Sequence, residues 1–405
     1  MPERLGSLLI SYAALAVLAA CGGGSNDSDP APPGSPPPPT GPLTFHCSKD
    51  SSCPEVMVAG DPFAAVNGMP DAFRGYGDPS LAYDAASDTL WMAYSWLNIQ
   101  ISDPGPPVVF DLGVRTHLAR SSDGGSSFSF VRLVNEMEME AHPDTGVMGW
   151  STHEVSTLVR EPGGLWQLLW FKYFNPFGTT PGVDERQEFL YWRTTANDPA
   201  ALGDTSEVWG TALATSTSWG APINFNDIPE LADCVAQTEP ALFAQNGSTY
   251  LATSCLVADA NGRRADQERL VLLRQEANGY SFVGMVLDAR DATDLGADVI
   301  QQADISVARD GRIILLVTPI VLGADPSHQG CVVFEFDDLP TARLRRDTMG
   351  MAIPRTIITA DGNGLGPGLC TYDANSDTGV LLVITSVTQN GTDVEFSLRA
   401  TGVHP

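Results

Sequence analysis

Four acidic residues stand near the starts of similar stretches of this 405-residue chain, and together they could do acid–base chemistry. They are Asp78, Glu154, Glu239 and Asp304. Carboxylates that share a cleft repel one another, so the pKa of at least one is expected to rise. A protonated carboxyl group beside an ionised one suits general acid and base catalysis. The same groups could instead accept backbone hydrogen bonds at strand ends or bind a structural cation such as calcium, and the sequence leaves the choice of metal unknown.

The stretches that carry these acids are repeats. Each has an apolar run, a polar turn and a second apolar run, and the pattern occurs five times, starting near positions 78, 154, 239, 304 and 368. Asn-Gly and Asp-Gly dipeptides occupy two of the turns, and both favour tight hairpins. Each interval can hold one four-stranded sheet, and stacked units of this kind are typical of a β-propeller.

Strand-length runs rich in Val, Ile, Leu and aromatic residues extend over residues 43–405, whereas no long stretch has helical periodicity. We therefore predict one all-β domain over 43–405, a five-bladed β-propeller, with a six-bladed propeller as the alternative. The last repeat ends close to the end of the chain. We expect residues 55–59 to supply its missing outer strand and so to tie the last blade to the first.

The N-terminal residues predict export. Residues 1–20 contain a short apolar run after a basic residue, which is typical of a signal peptide. The sequence Leu-Ala-Ala before Cys21 resembles a bacterial lipobox, which implies cleavage before Cys21 and its lipidation. Residues 21–42 are rich in Gly, Ser and Pro and predict an unstructured tether. We expect a lipoprotein of the outer membrane of a Gram-negative bacterium, and a soluble secreted protein is the alternative.

The composition limits the partners. The chain has 49 acidic and 22 basic residues and a formal net charge of −27, which disfavours binding to the phosphates of nucleic acid or to anionic lipid. Contact with a membrane is expected through the lipid anchor only. A monomer is expected.

The seven cysteines fit the same export route. Lipidation of Cys21 leaves six, which could pair in 15 ways. Nearness in sequence favours three disulfides, and the alternative is that one or more cysteines stay as free buried thiols. No pair has the Cys-x-x-Cys spacing of a zinc or redox site. The favoured pairs are Cys47 with Cys53, Cys234 with Cys255, and Cys331 with Cys370.

One turn motif supports the propeller. Ser121, Asp123, Gly125 and Phe128 have the spacing Ser-x-Asp-x-Gly-x-x-aromatic and resemble an Asp-box, which is found between the third and fourth strands of blades in sialidases and related propellers. Asp123 can accept backbone N–H bonds within the turn, and Phe128 can pack into the blade. The motif is structural and names no substrate.

The acids also resemble those of a family. Asp78, followed by Pro and Ser, and Glu239 match the first-blade Asp and third-blade Glu of five-bladed glycoside hydrolases of the arabinanase, β-xylosidase and fructan-hydrolase groups. Glu154 stands where those enzymes have an Asp. The resemblance implies that Glu239 is the general acid, that Asp78 is the base and that Glu154 orients or tunes the acid, with no cofactor required. His153 could be a proton donor or cation ligand beside them, or a structural residue.

Two other functions remain open. A sialidase would need three arginines around the substrate carboxylate and a tyrosine nucleophile; the candidates are Arg74, Arg193, Arg274, Arg309, Arg355 and Tyr372. A non-catalytic propeller could use the same acids to bind a ligand or to serve envelope assembly. The sequence favours an envelope lipoprotein that acts on or binds carbohydrate.

Overall fold

A computed structural model gives the fold of the chain. The described residues are 41–48, 53–62, 73–103, 109–176, 187–204, 206–211, 221–260, 262–277, 279–387 and 394–405. The predicted signal peptide, Cys21 and the tether as far as Thr40 lie outside them. Residues 41–405 belong to one compact unit.

Two short strands, β1 (Leu43–Cys47) and β2 (Val58–Ala59), precede the first blade. Blade 1 is an antiparallel sheet in which each strand pairs with the next along the chain. Its strands are β3 (Phe73–Asp84), β4 (Thr89–Asp103), β5 (Val109–Ser121) and β6 (Phe128–Asn135).

Blades 2 and 3 repeat this arrangement with small additions. The strands of blade 2 are β7 (Glu138–Ala141), β8 (Met148–Arg160), β9 (Trp166–Pro176), β10 (Gln187–Ala196), β11 (Ser206–Thr211) and β12 (Ile223–Asn224). Those of blade 3 are β13 (Ala236–Gln245), β14 (Ser248–Leu256), the separate hairpin β15 (Ala258–Asp259) and β16 (Gly262–Arg263), β17 (Arg269–Glu276) and β18 (Gly279–Asp288). Strand β9 is buried along its whole length, which explains its nearly unbroken run of apolar and aromatic residues.

Blades 4 and 5 complete the described strands. The strands of blade 4 are β19 (Val299–Val307), β20 (Ile313–Ile320), β21 (Cys331–Asp338), β22 (Arg343–Leu344) and β23 (Thr356–Ala360). Those of blade 5 are β24 (Gly368–Thr371), β25 (Leu381–Val387) and β26 (Val394–Ala400). The protein is an all-β propeller, as predicted; the described strands make five units, and a total of five blades for the whole chain stays a prediction.

Helices are few in the described part of the chain. The α-helix α1 (Ala289–Asp294) is capped by Asp288, whose side chain accepts hydrogen bonds from two backbone N–H groups of its first turn. Single turns of 3₁₀-helix occur at Pro199–Ala201, Phe225–Asp227, Pro229–Leu231, Ala265–Gln267 and Leu339–Thr341. No helix within the described ranges is long and apolar enough to cross a membrane.

The N-terminal segment pairs with the outer edges of three blades. Strand β1 adds to blade 4 by parallel pairing with β23. Glu55 then forms an antiparallel bridge with Arg399 of β26, and β2 continues to blade 1, where it pairs with β6. The segment ties the last blade to the first, as predicted, but only residues 54–56 pair with β26 of blade 5, whereas Val58 and Ala59 pair with blade 1. The parallel addition of β1 to blade 4 was not predicted.

Apolar side chains fill the spaces between neighbouring blades. Among the described residues there are five buried clusters, and each joins one blade to the next, including blade 5 to blade 1. In one of them Trp91 and Leu118 of blade 1 meet Trp166 and Trp170 of blade 2. Burial of one such side chain contributes about 1.5–3 kcal/mol. These contacts hold the innermost strands around a common axis.

The three predicted disulfides are confirmed. Cys47 is bonded to Cys53, Cys234 to Cys255, and Cys331 to Cys370. The first lies in the N-terminal segment, the second ties the start of blade 3 to β14, and the third joins blade 4 to the innermost strand of blade 5.

The turn between β5 and β6 has the contacts expected from its sequence. Asp123 accepts hydrogen bonds from the hydroxyl groups of Ser121 and Ser127 and from the Ser127 backbone N–H. Gly125 has φ of +89°, and Phe128 is buried. The turn joins the third and fourth strands of blade 1; that it is an Asp-box stays a prediction.

Candidate functional site

The innermost strand of every blade, β3, β8, β13, β19 or β24, contains a bulge. Across each bulge the innermost strand advances three residues while its partner advances two, so one extra residue is inserted. The irregular steps lie between Gly77 and Ser80, Glu154 and Thr157, Thr238 and Ala241, Gln301 and Asp304, and Gly368 and Thr371. The five strands therefore share one backbone device at one level of the propeller.

The first residue of each bulge has left-handed backbone geometry. These residues, which we call the bulge ring, are Asp78 (φ 45°), Val155 (φ 51°), Glu239 (φ 56°), Gln302 (φ 56°) and Leu369 (φ 51°). None is glycine, and such a conformation costs about 1–3 kcal/mol at a non-glycine residue. A β-branched residue such as Val155 is the rarest case. Because strained backbone often lies at functional sites, the bulge ring is a candidate functional site.

The bulge ring corrects the repeat alignment that the sequence suggests. Asp78 and Glu239 are equivalent, as predicted. Their counterparts in blades 2 and 4 are Val155 and Gln302, not Glu154 and Asp304. Glu154 precedes its bulge and Asp304 follows its own, so both are displaced from the level of the other two acids.

The bulge ring lines one cavity at the centre of the propeller. Asp78 and Glu239, from blades 1 and 3, both lie in its wall, and both are partly exposed. Val155 is buried, whereas Gln302 and Leu369 are partly exposed. The structure thus brings together the two acids to which the sequence assigns the main chemical roles.

Ser95 of β4 positions Asp78. The Ser95 Oγ lies 2.9 Å from Asp78 Oδ2 and 2.9 Å from the backbone nitrogen of Val155. Because the Val155 N–H can only donate, it occupies a lone pair of Ser95, and the single hydroxyl proton of Ser95 is donated to Asp78. The equivalent Thr318 of blade 4 accepts a hydrogen bond from the Leu369 N–H in the same way. Ser95 therefore fixes the Asp78 carboxylate and links it to blade 2.

Glu239 lies close to a buried hydroxyl network. Tyr191 shares a hydrogen bond of 2.8 Å with Thr253, whose hydroxyl donates to the backbone carbonyl of Thr238. Burial raises the pKa of Tyr191, the hydrogen bond with Thr253 lowers it, and the charge of nearby Glu239 raises it further. The network supports the backbone immediately before Glu239.

In four of the five blades the side chain of the residue after the bulge joins one blade to the next; blade 3 has Ala241 at this position. Ser80 accepts a hydrogen bond from the Leu158 N–H of blade 2. Thr157 accepts one from the Leu242 N–H of blade 3, and Thr371 accepts one from the Leu81 N–H of blade 1. Asp304 occupies this position in blade 4, where its Oδ2 accepts from the hydroxyl of Thr371 at 2.6 Å. Asp304 is thus part of the connection between blades 4 and 5.

Asp304 lines the cavity from a deeper position. Its side chain is buried, and it also borders a second cavity towards the opposite end of the axis. Burial raises the pKa of Asp304 to about 7, although hydrogen bonds from Thr371, Ile305 and Tyr372 oppose the shift. A neutral carboxyl group can donate as well as accept, which suits its position between blades.

His153 and Glu154 do not line the cavity. His153 Nδ1 accepts a hydrogen bond of 2.9 Å from the indole of Trp170, and burial together with Lys172 lowers its pKa to about 3. The ring is thus neutral at neutral pH and engaged with Trp170, which favours a structural role for His153 over that of a proton donor or cation ligand. Glu154 accepts a hydrogen bond of 3.0 Å from the hydroxyl of Tyr173 and is also buried.

Gln302 is held by a histidine. Its Nε2 lies 3.2 Å from Nε2 of His328, whose Nδ1 lies 2.5 Å from the carbonyl oxygen of Leu365. Sequence reasoning missed Gln302, Val155, Leu369 and Ser95. The signal that unites the first three is a positive φ at a non-glycine residue, which no sequence pattern reports.

One group of three potential metal ligands occurs among the described residues: Asp233, Cys234 and Cys255. The two sulfur atoms are bonded to each other, so they are not thiolate ligands. This group therefore does not fit a metal ion.

Comparisons with known proteins give structural similarity alone. No model of a known protein family matches the sequence, and no curated protein matches it. Among solved structures, an arabinanase of Bacillus subtilis is 14% identical, with a TM-score of 0.43, over 81% of this chain and 94% of the other.

Two further structures are similar over most of the chain. A GH43_1 enzyme from Xanthomonas citri complexed with xylotriose is 11% identical, with a TM-score of 0.48, over 82% of this chain and 88% of the other. A protein of unknown function from Dyadobacter fermentans is 10% identical, with a TM-score of 0.49, over 86% of this chain and 98% of the other. The chain is similar to these proteins in structure at very low sequence identity.

Proposed function

We propose that the protein is a glycoside hydrolase whose active site is the cavity at the bulge ring. The observation that carries the proposal is that Asp78 and Glu239 are partly exposed and stand at equivalent strained positions in the wall of one cavity. Two carboxyl groups beside one pocket suit hydrolysis of a glycosidic bond, because one can protonate the leaving oxygen while the other acts at the sugar carbon or on water.

In this proposal Glu239 is the general acid and Asp78 is the base that activates water. The hydroxyl of Ser95 stabilises the ionised form of Asp78 by donating a hydrogen bond to it. The acid must hold its proton at working pH, and a pocket that contains another carboxylate favours this. The predicted tuning role of Glu154 would be indirect, since its side chain is bound by Tyr173 outside the cavity wall. The reaction requires no cofactor.

The substrate of this cavity is expected to be a neutral glycan. Among the described residues in the cavity wall there is no Lys, Arg or His to bind a sugar carboxylate. The arginines that a sialidase would need are engaged elsewhere: Arg74 with Glu395, Arg193 with Glu207, Arg274 with Glu276, Arg309 with the carbonyl groups of Ala374 and Ser376, and Arg355 with Asp310 and Glu335. Tyr372, the candidate nucleophile, is fully buried. These contacts favour the neutral-glycan hydrolase over the sialidase.

A carbohydrate-binding function without catalysis is the second candidate. The observation that favours it is Val155, which places an apolar side chain at the position in blade 2 that is equivalent to Asp78 and Glu239. A ring with two acids instead of three could bind a sugar without cleaving it. Envelope location through a lipid on Cys21 is proposed for either function, as a lipoprotein of the outer membrane.

The test is a screen of the purified protein against neutral polysaccharides and chromogenic glycosides, with sialosides in parallel. The hydrolase proposal predicts release of sugar from at least one neutral substrate and none from the sialosides. Saturable binding of a neutral oligosaccharide without any hydrolysis would favour the binding function. Cleavage of sialosides alone would contradict both.

A further inference from the structure

Gln302 has a buried hydrogen-bond acceptor in the wall of the cavity. It stands in the bulge ring with Asp78 and Glu239, and its Oε1 is buried and accepts no hydrogen bond from the described residues. A buried amide oxygen that has lost water and gained no donor is unfavourable, so most such atoms in proteins are paired. An acceptor left open beside two carboxyl groups points to a ligand that carries a hydrogen-bond donor.

The orientation of the Gln302 amide follows from its neighbours. The carbonyl oxygen of Leu365 can only accept, so Nδ1 of His328 carries the proton in the contact of 2.5 Å between them. Burial lowers the pKa of His328, which keeps the ring neutral and leaves Nε2 as an acceptor. The Gln302 amide nitrogen therefore donates to His328 Nε2 at 3.2 Å. With the nitrogen committed to His328, the oxygen is the amide atom that is left without a donor among the described residues.

We propose that Gln302, held in place by His328, accepts a hydrogen bond from a hydroxyl group of the sugar bound between Asp78 and Glu239. This rests on the carbohydrate-acting function proposed above and adds a residue that determines specificity. An analogue that lacks the hydroxyl would leave the buried amide oxygen unpaired, which is the strongest form of discrimination available to a polar pocket. His328 acts through Gln302 and is a positioning residue.

Binding of free sugars tests the proposal without requiring hydrolysis. The probes are xylose, arabinose, glucose and galactose and their monodeoxy derivatives, titrated by NMR into the full chain. Gln302→Met keeps the length of the side chain but removes its amide. The proposal predicts that this variant binds the parent sugar about tenfold or more weaker than wild type, as loss of a hydrogen bond of 1.4 kcal/mol would give. For one monodeoxy sugar, the two proteins should bind with equal affinity.

Two further variants control the experiment. Gln301→Met changes the neighbouring glutamine, which is not in the cavity wall, and should bind every sugar as wild type does. Gln302→Glu keeps an acceptor oxygen and should retain most of the affinity that Gln302→Met loses. If Gln302→Met fails to fold, Gln302→Leu, which also lacks the amide, takes its place with the same expected loss of affinity.

The outcomes separate this inference from the hydrolase proposal. Three results would overturn the inference. Wild type and Gln302→Met could bind every parent sugar with equal affinity, Gln302→Met could lose the same affinity for every monodeoxy derivative, or no probe could bind. Sugar binding that depends on Gln302, without hydrolysis of any substrate in the screen, would support it and contradict the hydrolase. Hydrolysis of a substrate with a KM that is the same in wild type and Gln302→Met would support the hydrolase and contradict this inference.

Discussion

At the scale of residues, Ser95 connects the strained backbone to the proposed chemistry. Its hydroxyl group donates a hydrogen bond to Asp78 and accepts one from the Val155 N–H. We expect Ser95→Ala to lower kcat/KM and to reduce the free energy of unfolding by about 1–3 kcal/mol, because the Val155 N–H loses its partner. Ser95→Thr keeps the hydroxyl and should restore both. Activity assays and urea denaturation measure the two effects, and a Ser95→Ala protein with wild-type activity would show that Asp78 needs no positioning.

Asp304 predicts a dependence of stability on pH. Its pKa in the folded chain is raised from the ordinary 3.8 to about 7 by burial. The folded state therefore binds more protons, so this group contributes stability that is fully present below about pH 4 and is lost as the pH rises through 7. Asp304→Asn cannot ionise. Relative to Asp304→Asn, wild type should therefore lose about 2–3 kcal/mol of its free energy of unfolding between pH 5 and pH 8.

Urea denaturation at the two pH values checks this expectation, with the exposed Asp337→Asn as the control. A difference between wild type and Asp304→Asn that is the same at pH 5 and pH 8 would mean that Asp304 is already ionised in the folded protein at the lower pH.

At the scale of elements, the bulges mark the limit of what the sequence could predict. Apolar runs and turn dipeptides located the hairpins and placed Asp78 and Glu239 on equivalent strands. They could not report a shift of one or two residues, because the innermost strands are buried on both faces and their sequences lack the alternation whose change of phase would reveal an inserted residue. For this reason Glu154 was aligned with Asp78 although Val155 is its counterpart. Gln302 was missed because a glutamine in a strand carries no sign that its backbone is left-handed.

The disulfides could be predicted, because closeness in sequence coincides with closeness in the fold. Their effects on stability follow from loop length. Cys234 and Cys255 are 21 residues apart, and Cys331 and Cys370 are 39 apart. In the chain-entropy model, replacing the first pair by alanine should cost about 3 kcal/mol and replacing the second about 4 kcal/mol. Denaturant titration of the two double variants tests this order, and a larger loss from the shorter loop would mean that packing outweighs chain entropy.

At the scale of the molecule, the ring is closed by residues from both ends of the chain. Strand β1, Glu55 and β2 contact blades 4, 5 and 1 in turn. The sequence predicted the contact with the last blade because only three strand-like runs could be recognised in the last repeat. It could not predict the parallel pairing of β1 with β23, since edge pairing depends on which backbone groups stay exposed once the ring is built.

The proposed membrane anchor, Cys21, precedes this N-terminal segment in the sequence. Cleavage before Cys21 and lipidation of its thiol predict that the mature protein partitions into detergent and sediments with envelope membranes. Cys21→Ser should abolish both properties, because the tether after it has too few apolar residues to bind a membrane. Intact-mass analysis and detergent partition of envelope fractions measure this. Retention of the Cys21→Ser protein in membranes would contradict the anchor.

The most direct test of the hydrolase is the loss of each acid of the cavity. Asp78→Asn and Glu239→Gln are close in shape to wild type but remove the base and the acid. On a substrate found by the screen, each should lower kcat/KM at least about a hundredfold, as expected for proton transfer, with the fold intact by circular dichroism. Glu154→Gln, outside the cavity wall, is the matched control and should lose much less. Wild-type rates in both Asp78→Asn and Glu239→Gln would contradict the proposed active site.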